Sequence, residues 1–251
     1  MEVKRSGIYY LTKDGKDYEF VSVTSVLTAI AKPQLIHWAA SLSARAVLQD
    51  PTISEEEAIS SIYIAKKDGA SRGSLVHSLV EAADNGAVPD IEKLPPYIRP
   101  YALAHQKFIG DFSPKLVHNE QIVVNFTFGY AGTLDRVYEI DGKSVLVDFK
   151  TSANYYPEMG LQLAAYKNCE FMFTKDYEYF PMPAIDKTAI VLLGDDATYT
   201  YRETNEPLEV FMALKKVYLW GHKSKLERVK TSKKSALSES NGKEENTNDE
   251  S

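Results

Sequence analysis

Residues 134–152 read LDRVYEIDGKSVLVDFKTS, an alternating run and a continuous apolar run joined by Asp141-Gly142. An Asp-Gly pair between two such runs is a strong signal for a hairpin with a two-residue loop. With those residues as the loop, position 140 faces 143 and every opposed pair sums to 283. Asp135 then lies directly across from Asp148. Residues two apart in a strand share a face, so Lys150 stands beside Asp148. Two carboxylates opposed in this way, with Cβ atoms about 4.5–5.5 Å apart, repel one another unless something compensates. A shared proton, a neighbouring cation or a bound metal could each do so. Arg136 points to the other face, and Lys150 offers one charge against two. A hard divalent cation with oxygen ligands suits the pair better.

Working outward, the period changes on either side of this hairpin. Residues 8–11 and 18–23 flank KDGKD and predict an N-terminal hairpin. Residues 24–67 are mostly helical in pattern, with interruptions at Pro33 and Pro51. Residues 71–86 form an amphipathic stretch that stops at Asn85-Gly86, and a further helix follows Pro95-Pro96 as far as Phe112. Three consecutive strands in a meander are then expected over 120–126, 131–140 and 143–152. After them come a helix over 157–173 with Pro157 in its first turn, strands over 188–194 and 197–203, and a closing helix over 206–220. The order predicts an α+β core preceded by a helical elaboration.

The chain has 251 residues, and its 44% hydrophobic and 25% charged content is that of a globular protein able to bury a sizeable core. A net charge of −6 argues against coating nucleic acid through bulk positive charge. It leaves room for an enzyme whose carboxylates hold metal. The single cysteine, Cys169, excludes an internal disulfide and a four-cysteine zinc or iron–sulfur site. There is no phosphate loop of the ATPase kind, no apolar run long enough for a membrane span and no leader-like N-terminus. These features predict a cytoplasmic protein. Residues 222–251 are polar and aperiodic, with a basic block followed by an acidic end, and predict a disordered, solvated tail.

Two helices offer further polar groups at a spacing of four. Gly73, His77 and Glu81 share one helix face. There the glycine permits close approach of another backbone, and His77 and Glu81 can ligate a metal or bind water. Gln162 and Tyr166 repeat the arrangement after the Asp-x-Lys strand, where they can lean over its end and hydrogen-bond a phosphate or hold the lysine.

In chain order the pieces are RGSLVHSLVE at 72–81, GTLDRV at 132–137, VLVDFKTS at 145–152 and QLAAY at 162–166. This combination resembles the PD-(D/E)XK nuclease superfamily, specifically its RecB-type exonuclease branch. That branch carries a helical histidine, a Gly-x-x-Asp strand, an Asp-x-Lys strand and a Gln-x-x-x-Tyr helix. The resemblance covers residues 71–170; SVTSVL at 22–27 and KPQLIHWAA at 32–40 look like phage-encoded and mitochondrial members. It implies a restriction-endonuclease-like αβββαβ core on a central mixed sheet. The domains would be an N-terminal elaboration (1–69), the nuclease core (70–221) and the tail (222–251). It further implies one or two Mg²⁺ or Mn²⁺ ions held by His77, Asp135, Asp148 and the carbonyl of Phe149, without an iron–sulfur cluster or ATP.

Lys150 would orient the attacking water or stabilise developing charge, with Glu81, Gln162 and Tyr166 in supporting roles. Arg72, Arg136, Tyr155 and Tyr156 are candidates for tracking the DNA strand. Expected partners are DNA and a recombinase, single-strand-binding or annealing protein. The implied activity is metal-dependent exonucleolytic cleavage of DNA in recombination, repair or phage DNA metabolism. An endonuclease on the same fold and a non-catalytic DNA-binding protein are the alternatives.

Overall fold

The computed structural model describes residues 7–13, 16–87, 89–174 and 178–222. The turn at 14–15 and the tail beyond residue 222 lie outside the described residues. A first hairpin, β1 (Ile8–Lys13) and β2 (Lys16–Ser22), leads into the short helix α1 (Val23–Val26). Pro33 then opens α2 (Pro33–Gln49), at the position where a missing N–H costs nothing.

A single helix, α3 (Glu55–Asp84), follows, in place of an interruption near residue 70. It passes through Gly69 and Gly73, each of which costs about 1 kcal/mol relative to alanine. A capping box offsets part of that cost: the Ser54 side chain accepts from the Glu57 N–H, and Glu57 accepts from the Ser54 N–H. The expected boundary at 69/70 therefore falls inside one continuous helix.

α4 (Arg99–Phe112) precedes β3 (Lys115–Asn119) and β4 (Ile122–Asn125). The strand expected over 131–140 is divided into β5 (Tyr130–Thr133) and β6 (Arg136–Ile140), and β7 (Lys143–Lys150) follows. α5 (Pro157–Lys167) is shorter than expected, because the chain beyond it turns back as β8 (Phe171–Phe173) and β9 (Tyr179–Pro181). β10 (Lys187–Leu193), β11 (Tyr199–Thr204) and α6 (Leu208–Gly221) complete the described chain.

The fold is α+β with two mixed sheets rather than one central sheet. One runs β1-β2-β5-β4-β8-β9 and the other β11-β10-β7-β6-β3. The N-terminal hairpin belongs to the first of these, through parallel pairing of β2 with β5. The chain crosses between sheets at Leu134-Asp135. Two backbone bonds hold this corner: Leu134 N–H to Gln121 O at 2.9 Å, and Glu120 N–H to Asp135 O at 2.8 Å. The β6–β7 register is the one the Asp-Gly loop dictates, with Arg136 opposite Val147 and Ile140 opposite Lys143. Asp141 and Gly142 both have positive φ, as the tight turn requires.

Alternation along the strands then divides the core. Tyr138, Val147, Phe149 and Val191 pack with α3 and α4 on one face of the five-stranded sheet. Val137, Leu146 and Ile190 pack with α5 and α6 on the other. Asp148 and Lys150 share the α5 face with Leu146.

Candidate active site

Asp135 leaves the corner between the two sheets, and Asp148 leaves the last turn of the pleat in β7. Asp148 is 2% exposed and Arg136 is not exposed at all. The Phe149 N–H donates to Asp135 Oδ2 at 3.1 Å, so the strand that carries one acid fixes the other. His77 Nδ1 approaches the same oxygen at 3.4 Å from α3. Lys150 Nζ lies 2.6 Å from Asp148 Oδ2, yet no donor is aimed at that buried oxygen in hydrogen-bond geometry among the described residues. From α5, the Gln162 amide sits 3.5 Å from Asp148 Oδ1, at the limit of hydrogen bonding, and donates to the Tyr166 hydroxyl at 3.2 Å. These groups surround a cavity of about 340 Å³, whose opposite wall is Tyr9, Ser22, Thr24 and Ser25.

The Gly-x-x-Asp spacing acquires a packing reason here. A Cβ at position 132 would lie 2.3 Å from Tyr166 Cε1, so the tyrosine reaches the site only because Gly132 has no side chain. Gly73 is under no such demand, since a Cβ there would meet only Thr151 Oγ1, at an ordinary 3.8 Å.

Electrostatics follow from the burial of two acids with one lysine. Burial, and then the Asp148 charge, push the Asp135 carboxyl well above the usual carboxylate range, with Lys150 pulling the other way. For Lys150, burial alone would lower the pKa, but Asp148 and Asp135 outweigh it and hold the ammonium above its ordinary value. Burial lowers His77, with the charge of Asp148 opposing it, which favours a neutral imidazole able to act as a ligand. The cluster is short of positive charge, and its donors are mostly hard oxygens. Both features fit a divalent cation.

One candidate ligand was not anticipated from the sequence. Glu120 offers an oxygen within 4.8 Å of the His77 and Asp135 donor atoms. It sits at φ +50 in the turn between β3 and β4, and Arg136 Nη1 holds it at 3.3 Å. The Asn119-Glu120 pair between two β-forming runs was the available signal, and it does not distinguish a ligand from a surface acid.

The remaining sequence candidates fall outside the cavity. Glu81 is one turn beyond His77, half-buried, and does not line the cavity. Arg136 cannot touch a DNA strand where it stands: its Nε donates to Asp84 at 2.5 Å, and its Nη1 donates to the Asp135 carbonyl. Arg72 lies over the Tyr101 ring on α4. Tyr155 is sandwiched under Arg202, with its hydroxyl donating to Glu206 at 3.0 Å, and Tyr156 is the half-buried residue before α5.

No family model matches the chain, and no curated protein does. Solved structures resemble it distantly. The protein SSO0001 is 17% identical, with 80% of this chain and 75% of that one covered and a TM-score of 0.37. An alkaline exonuclease, LHK-Exo from Laribacter hongkongensis, is 13% identical over 86% of this chain and 94% of its own, with a TM-score of 0.41. Its complex with dAMP gives 15% and 0.40 over the same shares.

Proposed function

We propose that this chain is a metal-dependent nuclease that hydrolyses phosphodiester bonds of DNA, acting from strand ends. The observation that carries the reading is the convergence of two acids at the end of the β6–β7 hairpin, with Asp148 buried in β7, Asp135 at the corner one residue beyond the last paired residues Arg136 and Val147, and Lys150 at 2.6 Å from Asp148. Such a charge imbalance is costly in a fold unless a cation completes it. Asp135, Asp148 and His77 would hold a divalent ion, with Glu120 beside them, and such an ion would supply Lewis acidity toward the scissile phosphate and lower the pKa of a bound water.

The chain's own groups do the rest. Lys150 stays protonated, so it acts as a fixed positive charge beside the phosphate rather than as a proton acceptor. It is aimed where negative charge grows in the transition state. Tyr166, held neutral by burial, offers a hydrogen bond and no charge. Gln162 links Tyr166 to Asp148 and keeps that carboxylate facing the cavity. The wall formed by the N-terminal hairpin and α1 closes the far side, which supports accepting a strand end over a continuous strand. DNA recombination, repair or phage DNA metabolism is the setting such an activity would serve.

The test is incubation with linear duplex, linear single strand and covalently closed circle, each with Mg²⁺, Mn²⁺ or EDTA, alongside Lys150→Ala. Loss of linear DNA alone, dependent on metal and absent in the variant, is expected. Nicking or linearisation of the circle would replace the reading with an endonuclease. Tight binding without cleavage under any of these conditions would replace it with a non-catalytic DNA-binding protein.

A further inference from the structure

The helix that carries His77 extends far beyond the cavity. α3 has 30 residues, of which Val76 and Val80 at one end and Ala58 near the other are buried. Near its start it packs against α2, where the Ser43 hydroxyl donates to the Ala58 carbonyl at 3.1 Å, and α2 has no buried residue. At 100° per residue, Ile59, Tyr63, Lys66, Ala70, Gly73 and His77 recur at steps of three and four and form one continuous stripe. His77 ends that stripe inside the candidate active site. Ala70 and Gly73 are small and leave the face beside it low. Beyond them, Lys66 is exposed and Tyr63 presents its ring at 69% exposure.

We propose that this stripe is the track along which a single DNA strand runs to or from the site. A base stacks on Tyr63, and the Lys66 ammonium meets a phosphate. The proposal rests on the nuclease reading above and adds the form of the substrate on this side of the scissile bond.

Two observations favour a single strand over a duplex. An exposed aromatic ring gains by stacking only on a base whose face is free. A duplex presents a broad double row of phosphates, whereas the far end of the α2–α3 hairpin is acidic, with Asp50, Glu55, Glu56 and Glu57 close together. The stripe also fixes a length. Fourteen residues separate Tyr63 from His77, or about 21 Å at 1.5 Å per residue. That corresponds to about six nucleotides at the stacked spacing of about 3.4 Å, and fewer if the strand is extended.

The experiment is anisotropy of fluorescent oligothymidylates with the full chain in EDTA, where cleavage is suppressed. It compares lengths of about three and about fifteen nucleotides and a blunt duplex. Tyr63→Ala is expected to weaken binding of the long strand by about five- to a hundredfold, to leave the short strand within twofold, and to be rescued by Tyr63→Phe, which keeps the ring. Lys66→Ala is expected to lower the slope of log Kd against log salt by about 0.7 on the long strand.

Unchanged long-strand affinity in both variants would overturn the track and leave the exposed face to a protein partner. Equal losses on short and long strands, or on the duplex, would also overturn it. The two readings fail separately. Metal-dependent cleavage by the wild type with no effect of Tyr63 or Lys66 removes only the track. Length-dependent losses in a chain that never cleaves remove only the nuclease.

Discussion

Gly132 and Tyr166 show how one missing methyl group decides what reaches the site. Gly132→Ala places a carbon 2.3 Å from the tyrosine ring, and such overpacking costs about 1–3 kcal/mol. In urea titrations the loss is expected in the wild-type background and is expected nearly to vanish in Tyr166→Ala, where the obstructing ring is gone. His105 makes a second prediction at this scale. It is buried between Phe108 and Phe149, its Nε2 has no hydrogen-bond partner among the described residues, and burial brings its pKa down to about 4. The folded state therefore holds the neutral ring while the unfolded chain binds a proton near the ordinary value. The stability due to the neutral ring is fully present above about pH 6.5 and is lost progressively as the pH falls toward about 4, by about 3 kcal/mol in total. His105→Phe, which keeps the aromatic packing, is expected to remove that part of the acid-side fall in the melting temperature.

Elements are held in place by a clasp that does no chemistry. Asp84, two turns beyond His77 on α3, accepts from Arg136 at 2.5 Å and from the Tyr138 hydroxyl at 2.7 Å, both on β6. Arg136 also donates to the Asp135 carbonyl and to Glu120. The clasp thus ties the helix bearing the histidine to the strand and turn bearing two acids. Arg136→Met leaves Asp84 buried without its partner, and a loss of about 3–5 kcal/mol is expected. Replacing both, as Asp84→Leu with Arg136→Met, is expected to recover most of it, because a buried ion pair contributes little beyond an apolar pair of similar volume. Denaturant midpoints of the two variants check this. Sequence pattern marked Arg136 as a charge near the site. Its burial depended on which face α3 covers, and that is set by long-range packing.

At the scale of the molecule, the cluster of acids is expected to make the fold's stability respond to divalent cations. Mg²⁺ or Mn²⁺ that binds only the folded chain adds stability by mass action, about 2.7 kcal/mol at a hundred times its Kd. Thermal melts are expected to shift upward on titrating either ion, and the shift is expected to be absent in Asp148→Ala. A wild-type melt that ignores both ions would count against the site as a metal centre.

What was legible in the sequence was local. Asp141-Gly142 demands a two-residue turn, and the register it sets runs as far as Arg136 opposite Val147, which leaves Asp135 at the end of the hairpin beside Asp148 and Lys150. Pro157 likewise starts a helix through its own backbone chemistry, whereas Pro33, read as an interruption, proves to open one. What only the tertiary structure decided involves residues far apart in the chain. Residues 131–140 alternate like one strand, yet they split between two sheets, because Leu134 and Asp135 bond back to Gln121 and Glu120. Helix 55–84 persists through two glycines because its start is capped and Ala58, Val76 and Val80 are buried on one side of it. Glu120 joins the cluster only because that same corner turns it inward. Periodicity reports which face of an element is apolar. Which other element covers that face, and which charges are buried beneath it, is settled by the competition of all elements for one core.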